Sequence, residues 1–481
     1  MQHILPGQSY PLHGVASTRL IEEHWQAALP SHTLMQRAGL AAAKLALALT
    51  PHAQRIWIAC GPGNNGGDGL EAAIHLQQWG KTPIVTWLGQ PDRAPADAAA
   101  AYRRAIAAGI TFSPSPPDHP DGVIDALLGI GHYQREPEGQ MAQWMAQINA
   151  CAASVLAIDL PSGLHADTGV CTRLHVQAQH TLSLLTLKPG LFTAHGRDAC
   201  GTVWLDDLGV AADSGASADA RLGTRPTPTQ RSHASHKGSY GDVAIVGGAP
   251  GMTGAALLAA SAALHAGAGR VLVDLLDGGS QSVDSTWPEL MFRPVNSLVN
   301  QAMTVVCGCG GGDAVQAMLE SVLSSDAPVV LDADALNSIS KSTLFQTLLI
   351  QRSSRALTTV LTPHPLEAAR LLNCTAQQIQ ANRLEAARQL KEKFQCVVVL
   401  KGSGSVIAAP GQTSVINPTG NAKLATAGTG DVLAGMLGAG LASGQPAFQA
   451  ACDAVFRHGE LADLWPDTTP LTASKLAAQA A

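Results

Sequence analysis

The sequence predicts an α/β protein built as two parallel-sheet domains, each with helices on both faces. Three observations carry that expectation. Short apolar runs recur along the chain, alanine-rich helical stretches separate most of them, and glycine-rich turns follow several of them. A strand buried on both faces reads as a continuous apolar run, and strand–helix alternation marks a parallel sheet. The composition agrees: of 481 residues 46% are hydrophobic and 14% charged, with 48 glycines. That profile belongs to a folded chain with short glycine loops, not to a disordered one. The length alone allows about two to four domains.

The clearest seam is AADSGASADARLGTRPTPTQR, residues 211–231, which is small, polar and punctuated by proline. The boundary is placed near residue 222, giving domains 1–221 and 222–481, and no repeat connects them. The first half opens on helical patterns at 17–29 and 33–49. Runs at 56–60, 83–88, 122–127, 155–159 and 181–185 then read as strands. In the second half the expected strands are 243–246, 270–275, 304–307, 328–331, 358–362 and 396–400. Helices are expected at 254–265, 366–373, 376–393 and 432–441, with Thr375 as N-cap of the longest. Ligands of such sheets bind beyond the carboxyl ends of the strands, so the chemistry should follow each strand.

Several function classes lose support. A formal charge of −6 offers no basic face, so nucleic acid is not an expected partner. The nine cysteines include no C-x-x-C pair, and Cys307-Gly308-Cys309 is too tight for a zinc knuckle. Buried thiols in a reducing cytoplasm are the expectation. The start MQHILPGQSY lacks a basic segment followed by an apolar core, and no apolar run is long enough to cross a bilayer. A cytoplasmic protein without a membrane partner is expected. Its alanine-rich helices leave room for a homo-oligomer.

The most informative stretch is Gly428-Thr429-Gly430-Asp431 ahead of the uncharged run 432–441. Glycines let a backbone approach a ligand, and a helix N-terminus presents free N–H groups to phosphate. An aspartate there opposes phosphate binding but suits a base taking a proton from a hydroxyl. The plainer alternative is a charge complementing the helix start. Asn421-Ala422-Lys423 and Lys401-Gly402-Ser403-Gly404-Ser405 favour a nucleotide site.

In the first half, Gly61-Pro62-Gly63-Asn64-Asn65-Gly66-Gly67-Asp68-Gly69 follows the 56–60 strand and leads into a helix. It is a phosphate-approach loop, but its asparagines and aspartate depart from the usual G-x-G-x-x-G. Asp125 precedes Leu127-Leu128-Gly129-Ile130-Gly131, and Asp159 begins Asp159-Leu160-Pro161-Ser162-Gly163. Alone, either aspartate reads as a cap or turn residue. Together the three segments make one rim of mostly neutral oxygens. That rim suits a monovalent cation and a sugar or nicotinamide group better than Mg²⁺.

GPGNNGGDG, VIDALLGIG, AIDLPSGLHADTG and LMQRAG (34–39) resemble, in order, the NAD(P)H-hydrate epimerase domain. The resemblance spans nearly the whole first half. It implies a Rossmann-like three-layer domain that interconverts the R and S hydrates of NADH and NADPH. It also implies K⁺ held by Asn65, Asp125 and Ser162. The hydrate would meet Asn64, Asn65, Gly66, Gly67, Asp68, Gly129, Ile130, Gly131, His132, Tyr133, Gln134, Arg135 and Asp159, with Asp159 as the acid–base group. Some members carry a lysine shortly after the Gly-x-Gly of the third strand. This chain reads Gly131-His132-Tyr133-Gln134-Arg135, which leaves the second catalytic group open.

The second half resembles the ADP/ATP-dependent NAD(P)H-hydrate dehydratase, a ribokinase-like α/β fold. The resemblance is carried by HKGSYG, GGAPGMTGAA, DADALN, TPHP-x-E, KGSGS and NAKLATAGTGD, from about 226 to 464. Two departures stand out: the usual Gly-Pro-Gly-Leu-Gly is Gly308-Cys309-Gly310-Gly311-Gly312, and TPHPGE is TPHPLE. The family chemistry phosphorylates the hydrate hydroxyl so that it leaves as phosphate. Asp431 would be the base. Lys401, Gly402, Ser403, Gly404, Ser405 and Gly430 would hold the nucleotide, with Mg²⁺ assisting. Ala255, Gly310, Gly312, His364 and Asp431 would border the hydrate. Fusions of this type use ADP, with ATP the alternative, so NADHX or NADPHX and ADP are the implied small-molecule substrates. One rival is a ribokinase-like kinase of a vitamin alcohol with a regulatory N-terminal domain. Another is a non-catalytic nucleotide-sensing scaffold.

Overall fold

A computed structural model describes residues 1–131, 135–210, 216–227, 232–294 and 303–480. The chain divides into two compact units, Met1–Leu5 with Tyr10–Arg221 and Pro6–Ser9 with Leu222–Ala481.

The first unit is built on an eight-stranded sheet. Its strands are β1 (Gln2–His3), β2 (Arg55–Cys60), β3 (Thr82–Trp87), β4 (Thr111–Phe112), β5 (Gly122–Ala126), β6 (Ser154–Ile158), β7 (His180–Leu184) and β8 (Thr202–Asp206). They lie in the order β1-β8-β7-β6-β5-β2-β3-β4, all parallel except β1. The helices are α1 (Val15–Ala28), α2 (Thr33–Leu49), α3 (Asn64–Gln78), α4 (Ala96–Ala107) and α5 (Gly139–Ala150). Alternation within one strand explains the layers. Ile56, Ile58 and Cys60 of β2 join the core under α2 and α3, while Trp57 and Ala59 join Trp144, Met145 and Ile148 of α5. Because β2 pairs with β3 on one side and β5 on the other, the chain changes direction across the sheet there. Loops leaving β2 and β5 diverge, which opens a crevice at their carboxyl ends.

The second unit repeats this plan. Its strands are β9 (Asp242–Gly247), β10 (Arg270–Leu275), β11 (Met291–Phe292), β12 (Thr304–Cys307), β13 (Val329–Leu331), β14 (Thr359–Leu361), β15 (Val397–Leu400), β16 (Val406–Ala408) and β17 (Ser414–Ile416). They run β11-β10-β9-β12-β13-β14-β15-β16-β17 and are parallel up to β15. Here β9 lies between β10 and β12, so the second crevice opens beyond β9 and β12. Val243, Ile245 and Val306 face one helical layer, and Ala244, Val246 and Val305 the other. The helices are α6 (Thr253–His265), α7 (Gln316–Ser324), α8 (Ala333–Lys341), α9 (Thr343–Ser354), α10 (Pro365–Leu372), α11 (Ala376–Ala381), α12 (Arg383–Phe394), α13 (Thr429–Ala442), α14 (Ala447–Asp463) and α15 (Ala473–Ala477).

Every strand expected from the sequence is present, with ends displaced by at most one residue. Two helices differ. The expected 376–393 helix is broken at Asn382 (φ −152°, ψ 85°), whose side chain accepts from Glu385 N and competes with helical bonding. Thr375 therefore caps the short α11, not the longer helix beyond it. The 432–441 helix begins earlier, at Thr429, so Asp431 lies inside its first turn. Among the described residues, no helix is long and apolar enough to cross a membrane.

Candidate active sites

A cavity of about 400 Å³ lies at the carboxyl ends of β2, β5, β6 and β7. Asn64, Asn65 and Asp68 reach it from the first turn of α3, Gly129, Ile130 and Gly131 from the loop after β5, and Asp159 from the end of β6. The loops approach closely: a Cβ on Gly61 would sit 1.8 Å from Leu127 O, a contact only glycine permits. A Cβ on Gly129 would sit 3.2 Å from Asp159 Oδ2 and 3.4 Å from Asn65 Cγ, so these three positions meet. Gly66 and Gly67 are buried within α3, and Arg135 is exposed; none of them lines the cavity. His132, Tyr133 and Gln134 lie outside the described residues.

The expected cation ligands converge on the Leu127–Leu128 segment. Asp125 is fully buried and accepts from Ser162 N (2.8 Å), Ser162 Oγ (2.7 Å) and Leu127 N (3.2 Å). Ser162 Oγ accepts from Leu128 N at 2.9 Å, and Asn65 Nδ2 donates to Leu128 O at 3.0 Å. Asn65 Oδ1 is buried without a hydrogen-bond partner. Burial pushes the Asp125 carboxyl up to about 6 against the hydrogen bonds that hold it down. Among the described residues no cationic side chain pairs with it. An orphaned amide oxygen beside an uncompensated carboxylate fits a monovalent cation.

Four charged groups stand here that the sequence reading did not assign: Glu22 and Arg19 from α1, Asp97 from α4, and Lys188 beyond β7. The Lys188 ammonium donates to the Asp159 carboxylate. Asp159 itself has a left-handed φ of 68°. Burial and the neighbouring carboxylates push Asp68 well above the usual range, and burial with Asp159 raises Glu22. Lys188 stands past a strand end, where the rule applied to the other strands would have found it.

The second site is assembled from the ends of β9, β12, β13, β14 and β15 and the start of α13. Gly428 occupies the N-cap position of α13 with φ 90°. Thr429 Oγ1 donates to Leu424 O at 2.8 Å, and buried His458 meets Thr429 O at 2.8 Å through Nε2. These contacts lock the turn that presents Asp431. Its carboxyl is pushed up to about 6, by burial first and then by the Asp332 charge, against the Cys309 thiol and Lys401. Lys401 Nζ donates to Asp332 Oδ1 at 2.6 Å, and a Cβ on Gly430 would sit 3.4 Å from that ammonium. The predicted lysine and helix N-terminus are therefore adjacent.

The Gly308–Gly312 departure has a structural reading. Gly308, Gly310 and Gly312 have φ of 122°, 58° and 51°, so the glycines kept from the family pattern are those in left-handed conformations. Cys309, standing where the family has proline, is fully buried with its Sγ beside Asp332 and Asp431. A Cβ on Gly310 would sit 2.8 Å from Ala255 Cβ, which brings those two predicted positions together. His364 caps α10: its Nδ1 accepts from Leu366 N and Glu367 N, and Nε2 lies 3.0 Å from Glu367 Oε1. Buried Arg383, just past the Asn382 break, donates to Leu400 O and Lys401 O and braces the 401–405 turn. Lys423 is engaged elsewhere, by Trp465 O and Asp467.

Comparison with known proteins agrees with both halves. A family model described as NAD(P)H-hydrate dehydratase matches residues 243–480, and one described as YjeF-related protein N-terminus matches residues 31–190. The bifunctional NAD(P)H-hydrate repair enzyme of Coxiella burnetii is 37% identical, covering 91% of this chain and 91% of its own. Its Escherichia coli counterpart is 36% identical over 91% of this chain and 85% of its own. An ADP-dependent (S)-NAD(P)H-hydrate dehydratase of Neisseria meningitidis is 43% identical over 52% of this chain and 86% of its own. Among solved structures, a Bacillus subtilis ADP/ATP-dependent NAD(P)H-hydrate dehydratase co-crystallized with ATP/Mg²⁺ is 31% identical, with a TM-score of 0.44, covering 53% of this chain and 92% of its own. With near-complete coverage at this identity, a Rossmann-like first unit and a ribokinase-like second, the chain belongs to the bifunctional NAD(P)H-hydrate repair enzymes.

Proposed function

We propose that the chain repairs hydrated nicotinamide nucleotides in two reactions, each at one of the two sites. The first unit interconverts the R and S forms of NADHX and NADPHX. The second dehydrates the S form at the expense of ADP, releasing AMP and phosphate. The observation that carries the reading is Asp431, half-buried in the first turn of α13 beside the Lys401–Asp332 pair. A phosphate-accepting helix start combined with a proton acceptor suits phosphoryl transfer to a hydroxyl.

In the dehydratase, Asp431 takes the hydroxyl proton as the terminal phosphoryl of ADP moves to that oxygen. The ring nitrogen's lone pair then expels phosphate, and the neighbouring carbon loses a proton to restore the ring double bond. Lys401, Gly402, Ser403, Gly404, Ser405 and Gly430 hold the nucleotide, while Ala255, Gly310, Gly312 and His364 border the hydrate. Mg²⁺ supplies charge neutralisation on the phosphates. Asp332 is already paired with Lys401, which supports a metal carried in by the nucleotide rather than held by that carboxylate.

In the epimerase, Asp159 handles the proton of the hydrate hydroxyl. Asn64, Asn65, Asp68 and the 129–131 loop surround the substrate, and Asn65, Asp125 and Ser162 hold K⁺. The cation supplies charge compensation for Asp125 and fixes the loops after β2, β5 and β6. The domains 1–221 and 222–481 divide the two activities. A kinase of a vitamin alcohol would need the second site alone, so the acid-lined cavity of the first unit speaks for the repair reading.

The test supplies pure R and S NADHX with ADP and Mg²⁺ and follows NADH absorbance. Recovery from both isomers is expected. No recovery from the S isomer sinks the proposal, and recovery with ATP but not ADP corrects the donor.

A further inference from the structure

Lys188 has a side chain that is 1% exposed, yet it is charged and borders the first cavity. An ammonium has three protons, and the fold supplies three acceptors: the Asp159 carboxylate, Leu184 O at 2.8 Å and Ser183 Oγ at 3.3 Å. A buried ammonium bonded this completely has a fixed position, since leaving any acceptor would leave a charge unpaired. Asp159 is equally constrained. Its left-handed backbone is rare for a residue with a side chain and persists only where the surroundings over-determine it.

The cavity is otherwise rich in acid. Glu22 of α1, Asp68 of α3 and Asp97 of α4 line it with Asp159, against the cations Lys188 and Arg19. Asp97 pairs with His32. Among the described residues, no ion pair joins Glu22 or Asp68 to a cation, so Asp159 is distinguished by its lysine.

Building on the epimerase reading, we propose that Lys188 is the positioning residue that makes Asp159, and not Asp68 or Glu22, the proton acceptor of the first cavity. Among the described residues Asp68 and Glu22 have no ion-paired cation to hold a negative charge, which leaves the lysine-bound group as the acceptor. The step balances without an oxidant or reductant. The hydroxyl O–H of the hydrate breaks and its proton goes to Asp159. The oxygen's electron pair becomes a C=O bond as the ring C–N bond breaks toward nitrogen. Reclosure from the opposite face returns the proton to oxygen, and Lys188 keeps its three protons throughout.

The test uses the full chain, pure R NADHX and no ADP, with the R/S ratio followed by chromatography across pH. Lys188→Met should lower kcat about 100-fold with KM changed by less than about threefold, and should move the acidic limb of the profile to higher pH. Lys188→Arg keeps the cation and should restore most of the rate and the limb. Asp68→Asn, whatever its rate, should leave the limb in place. An unmoved limb in Lys188→Met, equal losses in Met and Arg, or a limb that follows Asp68→Asn would overturn the assignment. A second readout does not need turnover. In protein carrying ¹³C-carboxyl aspartate, the resonance absent from Asp159→Asn should move in Lys188→Met at fixed pH and return toward its place in Lys188→Arg, and an unmoved resonance overturns the pairing. If the wild-type chain does not interconvert R and S, the epimerase reading fails, and this resonance still decides the pairing.

Discussion

The two sites use the same parts in opposite connections. Each lies at a point where the strand order of a parallel sheet reverses, and each contains a lysine bonded to a buried aspartate. In the first, Lys188 is bonded to Asp159, the group assigned the proton transfer. In the second, Lys401 is bonded to Asp332, and Asp431 is left without an ion-pair partner among the described residues. Burial and the Asp332 charge then push Asp431 up to about 6. A base for a reversible inversion has to give its proton back, and a cation beside it suits that. A base for phosphoryl transfer needs only to accept once, so a raised carboxyl near neutral pH serves it.

The largest expected effect separates the two sites outright. Asp431→Asn should lower NADH recovery from S hydrate by about 10³-fold and leave R/S interconversion unchanged, measured side by side on one preparation. Asp159→Asn should do the reverse, stopping R consumption by about 10²-fold or more while S turnover with ADP persists. Loss of both activities in either variant would break the two-site comparison.

The pH dependence sharpens it. Protonated Asp431 accepts no proton, so dehydration should fall as pH drops through about 6. Cys309, whose thiol is pushed well above its ordinary range by burial and Asp431, stays protonated and holds the carboxylate down. Cys309→Ala should therefore move the acidic limb upward and reduce the rate near pH 6 by about threefold; a limb that stays or moves down contradicts that role. The smallest effect concerns the cation. K⁺ should raise the melting temperature of the first unit by a few degrees, about that expected for a weak ligand. Asn65→Leu should abolish the rise, and an equal rise with Li⁺ would argue against a K⁺-sized site.

Much of this was legible along the chain. Uniform apolar runs such as 243–246 and 397–400 became strands because both faces of a parallel sheet exclude polar residues. The antiparallel pair β16 and β17 was not legible, each being three residues long, nor was the first unit's β8, TVWLD, which is mostly half-buried and makes no uniform apolar run. Asn382 broke a helix that periodicity alone extended, since periodicity does not register a side chain competing for backbone bonds. The glycine and aspartate motifs pointed to Asn64, Asn65, Asp68, Gly129, Ile130, Gly131 and Asp159, which the fold brings to one cavity, because close approach to a ligand demands such residue types. Lys401 was read from its motif, but Lys188 was not, because a lone lysine's role depends on its partner.

By itself the sequence determined the strand–helix alternation, the two-domain plan and the loops where ligands approach, because periodicity and glycine placement are local properties. Only the tertiary structure decided which aspartate each lysine holds. Lys188 and Asp159 are distant in sequence, as are Lys401 and Asp332, and adjacent only once their strand ends share one edge of the sheet. Charge pairing acts through space, and the order of residues along the chain does not record it.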